Sequence, residues 1–251
     1  MQHKPAVEWL GSIGSTNEEA MQRGAAGASG PLWIVASEQT GGRGRNGRTW
    51  VSPEGNLYAS LLLTFPRALP TVAQLALVAG LAAYDTVRKL APDLAVRLKW
   101  PNDVLIEGAK LCGILIEGRI SSGSAAHNVV VGFGLNLAHH PDLPGRRAAS
   151  LAAFGVTASR QQALSCLCAS FGQWQEVWAD GDGIKAICSA WIDRALAAGT
   201  LVSVNTGAEL IEGQFLGLDA DGAMLLGLPT GSQRRITFGD VHIAAPTGAD
   251  T

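Results

Sequence analysis

The sequence predicts an α+β fold: a mixed sheet with helices over 1–198, a small all-β domain over 199–245, and a tail over 246–251. Three observations carry this. Between Val7 and Leu137, apolar runs of strand length are interrupted by helical patterns and by glycine- and proline-marked turns. Near Gly199 the texture changes to short alternating segments separated by Asn-Thr-Gly, Asp-Ala-Asp-Gly and Pro-Thr-Gly-Ser, the pattern of four or five strands in a small barrel. Finally, 251 residues at 47% hydrophobic and 16% charged can bury one large core and a smaller one.

The elements follow in order. Val7–Ile13 reads as a strand, and Ser15 or Thr16, with Glu18 or Glu19 behind, reads as the capping box of a first helix. Leu32–Ser37 is a strand apolar on both faces, with Gln39 at its end. Asn56–Phe65 is a strand closed by Pro66, and Val72–Leu90 a long helix. Val96–Trp100 alternates as a strand and is stopped by Pro101-Asn102-Asp103. Val104–Ile106 and Leu111–Arg119 form a hairpin around Glu107-Gly108-Ala109, with Lys110 entering the second strand. Asn128–Leu137 is a buried strand broken by Gly132 and Gly134, where glycine marks a bulge or a close approach to a ligand. Two or three helices fill Ser159–Ala198, with Trp174, Trp178 and Trp191 as core.

The bulk properties exclude several classes. A net charge of −2 argues against a general nucleic-acid binder. No run approaches the about 18 apolar residues of a membrane span, and the N-terminus lacks a signal peptide's apolar region. Cys112, Cys166, Cys168 and Cys188 show no metal-binding spacing and read as reduced thiols of a cytoplasmic protein. His139 and His140 have no acidic or cysteine cluster near them in sequence, so no metal ligands are assigned.

The chemistry concentrates between Gly41 and Trp50, where four glycines and three arginines, Arg43, Arg45 and Arg48, precede the tryptophan. Glycines free backbone amides to form an anion-binding concavity, and arginine adds a fixed charge with a planar donor fork. The loop is not a Walker A motif, because no Gly-Lys-Ser/Thr follows. Taken alone it reads equally well as a flexible basic linker. Gln39 alone reads as a surface glutamine, and Asp103 alone as a turn-stabilising aspartate.

The motifs together resemble the biotin–protein ligases. The ordered set is Ser15-Thr16-Asn17, then Gly42-Arg43-Gly44-Arg45-Asn46-Gly47-Arg48-Thr49-Trp50, Lys99-Trp100-Pro101-Asn102-Asp103, Lys110 to Glu117 (KLCGILIE), and Val131-Gly132-Phe133-Gly134-Leu135-Asn136. The resemblance implies a catalytic domain related to class II aminoacyl-tRNA synthetases and lipoate ligases, with an SH3-like C-terminal domain. It implies activation of biotin by MgATP to biotinyl-5′-AMP, then transfer to one lysine of a biotin carboxyl carrier protein. Ser15, Thr16, Asn17, Gln39, Arg43, Gly44, Arg45 and Lys110 then match biotin-contacting positions. Arg43, Arg45, Arg48, Trp50, Asn102, Lys110, Gly132, Gly134 and Asn136 match positions around the adenylate. Lys110, Arg45 and Asp103 are the implied catalytic residues, with Asp103 orienting the acceptor amine or taking its proton.

Asn46 departs from the family pattern, in which a basic residue is common at that position, and lowers the local charge. Because the chain starts almost directly at the catalytic domain, a DNA-binding role is not expected; membrane attachment is not expected either, for want of a long apolar run, whereas monomer and homodimer both stay open. The rival readings are a lipoate or octanoate transferase on a related fold and a biotin-binding regulator without turnover.

Overall fold

The order of the strands explains where a pocket forms. The computed structural model describes residues 5–66, 70–120, 127–143 and 145–244; the tail expected over 246–251 lies outside them. Seven strands make a mixed sheet: β1 (Ala6–Ile13), β2 (Leu32–Gln39), β3 (Leu57–Phe65), β4 (Val96–Lys99), β5 (Asp103–Ile106), β6 (Ala109–Ile120) and β7 (His127–Leu135). Their spatial order is β1-β2-β3-β7-β6-β5-β4, and only the β1–β2 pair is parallel.

The two faces of this sheet differ. Trp33, Val35, Leu57, Ala59, Leu61, Val131 and Phe133 point to a large core closed by α2 (Leu75–Leu90), α3 (Arg160–Trp178) and α4 (Ile184–Ile192). The opposite face carries Ile34, Leu62 and Val130, covered by Ala20 of α1 (Thr16–Ala25). That helix is short, so much of this second face stays open. Helix α2 can lie close to its neighbours because of its small residues: Gly80, Ala79, Ala82 and Ala83 are buried, and a Cβ on Gly80 would sit 3.2 Å from Trp191 Nε1.

The C-terminal strands β8 (Leu201–Asn205), β9 (Leu210–Leu218), β10 (Met224–Gly227), β11 (Gln233–Ile236) and β12 (Asp240–Ile243) form an antiparallel sheet ordered β11-β10-β9-β8-β12. Val202, Val204, Ile211, Phe215, Met224, Leu226 and Val241 are its buried side. It is anchored where Phe215 packs edge-on to Trp191, at 6.4 Å between ring centroids, and where Trp100 Nε1 donates to the Gly222 carbonyl at 3.2 Å.

Three local expectations need correction. The capping box at α1 does not form: Ser15 is the N-cap but makes no side-chain bond to the helix, because Thr16 turns to partners across the sheet. A capping box forms instead at Ser159 and Gln162 of α3. Strand β7 is not broken by Gly132 and Gly134; it pairs without interruption with β3 and β6. The long helix begins at Leu75, preceded by a 3-10 turn over Pro70–Gln74.

Candidate active site

The open face of the large sheet and the start of β12 enclose a cleft of about 620 Å³. The hairpin β5–β6 shapes its charged end. Glu107 and Gly108 form a tight turn with φ of 47° and 74°, the left-handed pair of a two-residue hairpin. The register then shifts: Leu105 opposes Lys110, while Val104 opposes Cys112. This bulge inserts one residue and re-aims the strand. Lys110 and Gly113 are an odd number of residues apart and would point to opposite faces of a regular strand; the bulge puts both on the cleft, while Leu111 and Cys112 are buried in the core.

Lys110 Nζ lies 2.6 Å from Asp103 Oδ1, and Lys99 Nζ 2.8 Å from Oδ2. Asp103 is buried. Burial raises its pKa, but the ammonium groups of Lys110 and Lys99 outweigh that and hold the carboxyl well below the usual carboxylate range. Lys110 Nζ also sits 5.2 Å from the centroid of the Trp50 ring.

The other end of the cleft is a neutral hydrogen-bonded chain. Thr16 donates its backbone N–H to Gln39 Oε1 at 2.8 Å, and its hydroxyl lies 3.0 Å from the same atom. Gln39 Nε2 donates to Ser52 Oγ at 3.0 Å, and the Ser52 hydroxyl donates to the Trp50 carbonyl at 2.8 Å. Ser60 Oγ is 2.7 Å from Thr16 Oγ1 and 2.6 Å from Asn17 Oδ1. Asn17 Nδ2 donates to Glu117 Oε2 at 2.7 Å. Ser15, Thr16 and Asn17 are buried, and all three line the cleft with Gln39.

The floor between these ends has no side chains. A Cβ on Gly132 would come within 2.0 Å of Asn17 Oδ1, and one on Gly134 within 2.4 Å of Trp50 Nε1. Gly113, paired with Gly134 across β6 and β7, would bring a Cβ to 3.0 Å from both Lys110 Cε and Trp50 Cζ3. These glycines let Asn17 and the Trp50 indole lie directly on the sheet.

The arginine segment is ordered as a small hairpin. Gly44 N–H donates to the Arg48 carbonyl at 2.7 Å, and Trp50 N–H to that of Gly42 at 2.9 Å. Asn46 and Gly47 make the turn at φ of 56° and 71°, and Asn is among the non-glycine residues most tolerant of that region. Asn46 Nδ2 donates to Asp240 Oδ2 at 2.9 Å, and Arg48 pairs with the same oxygen. Arg45 Nη1 donates to the Gly239 carbonyl at 3.1 Å and lies 3.8 Å from Asp240 Oδ1. Burial lowers the Arg45 pKa against the opposing pull of Asp240 and Asp103. Arg43 stands apart, 4.0 Å from Glu117.

All of the sequence-designated residues therefore meet at one cleft, although two of them turn their amides to structural partners. Asn102 Nδ2 bonds the Ile114 carbonyl, and Asn136 Nδ2 the Ala149 carbonyl at 3.0 Å. Several contributors escaped the sequence reading. Lys99 stood inside a quoted motif, and Ser60 and Glu117 lay in period-2 register on cleft-facing strands. Asp240, His242, Arg146 and Arg147 also line the cleft, and no local signal marked them. Asn56, buried beneath, accepts from the N–H groups of Leu137, Ala138 and His139 at 2.9 to 3.0 Å and fixes the chain leaving β7.

Known proteins resemble this chain over most of its length. Residues 11–136 match the Biotin/lipoate A/B protein ligase family, and 199–243 match the Biotin protein ligase C terminal domain. A biotin--[acetyl-CoA-carboxylase] ligase of Paracoccus denitrificans is 38% identical over 231 residues, covering 89% of this chain and 95% of the relative. The bifunctional ligase/repressor BirA of Escherichia coli is 32% identical over 225 residues, covering 88% of this chain and 69% of that protein. A biotin protein ligase from Aquifex aeolicus, solved with biotin and ATP, superposes with a TM-score of 0.78 at 28% identity, covering 95% of this chain and 98% of the other. The chain belongs to the biotin protein ligase family.

Proposed function

We propose that the protein is an ATP-dependent, AMP-forming biotin–[biotin carboxyl-carrier protein] ligase. The observation that carries this reading is the meeting of the Asp103–Lys110 pair, the arginine hairpin and the neutral Thr16–Gln39–Ser52 chain at a single cleft. In the first step a biotin carboxylate oxygen attacks the α-phosphorus of ATP and pyrophosphate leaves. Two anions must touch, so fixed positive charge between them is the largest help available. Lys110, on a strand, and Arg45 and Arg43, on the hairpin, supply that charge in our assignment. The neutral chain, rich in donors and acceptors, suits the ureido ring, with Ser15, Asn17 and Gly44 completing its surroundings. Arg48, Trp50, Asn102, Gly132, Gly134 and Asn136 surround the adenylate.

In the second step the acceptor lysine amine attacks the acyl carbon, AMP leaves, and the amine loses a proton. Of the two roles open to Asp103, orientation is the better supported. A carboxylate held between two ammonium groups is a weak base, and efficient general bases have pKa values near the working pH. Mg²⁺ would be held mainly by the ATP phosphates and water and would offset phosphate charge there, since the cleft carboxylates Asp103 and Asp240 are already paired with lysines and arginines.

We assign residues 1–198 as the catalytic domain and 199–245 as the C-terminal domain. A class II synthetase-like description of the first rests on its mostly antiparallel sheet backed by α2 and α3. An SH3-like description of the second rests on its five short antiparallel strands. A cytoplasmic setting accords with the absence, among the described residues, of any helix long and apolar enough to cross a membrane.

The test is pyrophosphate release from MgATP with biotin, lipoate and octanoate in parallel. Release with biotin alone is expected. Release with lipoate or octanoate instead would move the protein to the sister activity, and release with none would leave a binding protein.

A further inference from the structure

The first residues of β12 reach into the cleft from the C-terminal sheet and touch both of its charged components. Asp240 gathers the hairpin: its Oδ2 takes Asn46 Nδ2 at 2.9 Å and the Arg48 guanidinium, and its Oδ1 lies 3.8 Å from Arg45 Nη1. The neighbouring carbonyls continue the grip. Gly239 O accepts from Arg45 at 3.1 Å, and Val241 O accepts from Lys99 Nζ at 2.6 Å, the lysine that also holds Asp103. The Arg45 guanidinium lies 5.3 Å from the centroid of the Phe238 ring. Among the described residues, the other hydrogen bonds at the tip of the hairpin are those of its own turn, Arg48 N–H to Arg45 O at 3.3 Å and Gly44 N–H to Arg48 O at 2.7 Å. The Asp240 side chain is only 11% exposed, so its charge is well sheltered from solvent.

The geometry points to Asp240 as a positioning residue that latches the arginine hairpin over the cleft, so that the C-terminal sheet controls how well the acyl-adenylate is retained. The inference rests on the ligase reading given above. An unlatched hairpin admits water; water adds to the acyl carbon, the bond to the phosphate oxygen breaks, and biotin and AMP are released with no acceptor modified. A latch therefore acts on ATP affinity and on coupling rather than on the intrinsic speed of transfer.

The experiment compares the full-length wild type with Asp240→Asn and Asp240→Glu, using Glu209→Gln as a control. Glu209 pairs with Arg234 at the surface of the same C-terminal sheet. Three readings are taken: tryptic cleavage after Arg43, Arg45 and Arg48 without ligand, the KM for ATP against kcat, and pyrophosphate released per biotin transferred. In Asp240→Asn, cleavage and the ATP KM are expected to rise about three- to tenfold, the effect of losing one or two charge-assisted contacts. The pyrophosphate ratio rises with them, kcat changes less, Asp240→Glu recovers most of the loss, and Glu209→Gln behaves as wild type. A lower ATP KM in Asp240→Asn would overturn the proposal, because Asp240 would then be withholding the arginines. Unchanged cleavage and coupling would overturn it as well. The cleavage reading needs no turnover, so it tests the latch even if wild type releases no pyrophosphate with biotin, the result that would sink the ligase reading itself.

Discussion

The cleft holds its positive charge in two ways. Lys110 and Lys99 stand on paired strands and share a buried carboxylate, Asp103. Arg45 and Arg48 stand on a hairpin whose tip is tied to the C-terminal sheet through Asp240, the Gly239 carbonyl and the Phe238 ring. Both groups are built from ion pairs, yet ladder hydrogen bonds and a bulge fix the first, whereas the second stands on a turn held in place by side-chain contacts to residues 238–240. In our assignment both parts bring charge to the reacting phosphorus, Lys110 from the strands and Arg45 from the hairpin, and the two differ in what holds them there.

The strongest way to break this contrast is Lys110→Ala. It removes ~2–4 kcal/mol of transition-state stabilisation, seen as a loss of biotin-dependent pyrophosphate release by about 10²–10³ with the fold retained by circular dichroism. An effect no larger than that of Arg45→Ala would dissolve the distinction between strand and hairpin. Next, Asp103→Asn slows transfer to the carrier by roughly 10², the cost of a misplaced acceptor amine, while adenylation falls much less. Asp103 has a depressed folded pKa, so its stabilising effect is complete above the unfolded value of ~4 and fades as the pH falls through the lower folded value. Melting temperatures of wild type and variant should differ by a constant amount above about pH 5 and converge in stronger acid; a gap that widens on acidification would contradict the assignment.

Gly132→Ala probes the floor. Its methyl group would meet Asn17 Oδ1 at 2.0 Å, and overpacking of this kind costs ~1–3 kcal/mol, read as a lower urea midpoint together with weaker biotin binding. The smallest effect belongs to the hairpin tip. Asn46→Ala loses about 1–2 kcal/mol of left-handed tolerance within the hairpin, and Asn46→Gly restores it. If glycine is as damaging as alanine in the tryptic assay, the contact to Asp240 matters more than the backbone conformation.

Much of this was legible in the chain because it is local. Apolar runs of strand length placed β2, β3, β6 and β7; the glycines at 132 and 134 were expected to mark a bulge or the approach of a ligand, and what lies against them is Asn17 and Trp50. Even the hairpin tip was written in Asn46-Gly47, a two-residue turn signature, although the sequence alone drew attention to Asn46 for its missing charge and its bearing on loop order. What stayed hidden depends on distance in sequence. Thr16 reads as a cap until Gln39 and Ser60 are folded against it. Asp240 lies 192 positions after Arg48 and resembles any aspartate in a turn before a short strand. The bulge that turns Lys110 into the cleft is a matter of register, which hydrophobic alternation alone does not specify.

The bare patch formed by Gly113, Gly132 and Gly134 also constrains how this site can evolve. Glycine has no side chain left to shorten, so substitution there works in one direction only and pushes away the Asn17, Trp50 or Lys110 side chain that lies against it. A variant that accepts a longer or bulkier acid must make room at the walls, by trimming residues such as Trp50, Leu115 or Thr16, which line the same cleft. If this cleft takes the acid as we propose, selectivity among acids lies with its walls, and the glycines set how closely Asn17 and Trp50 approach the sheet.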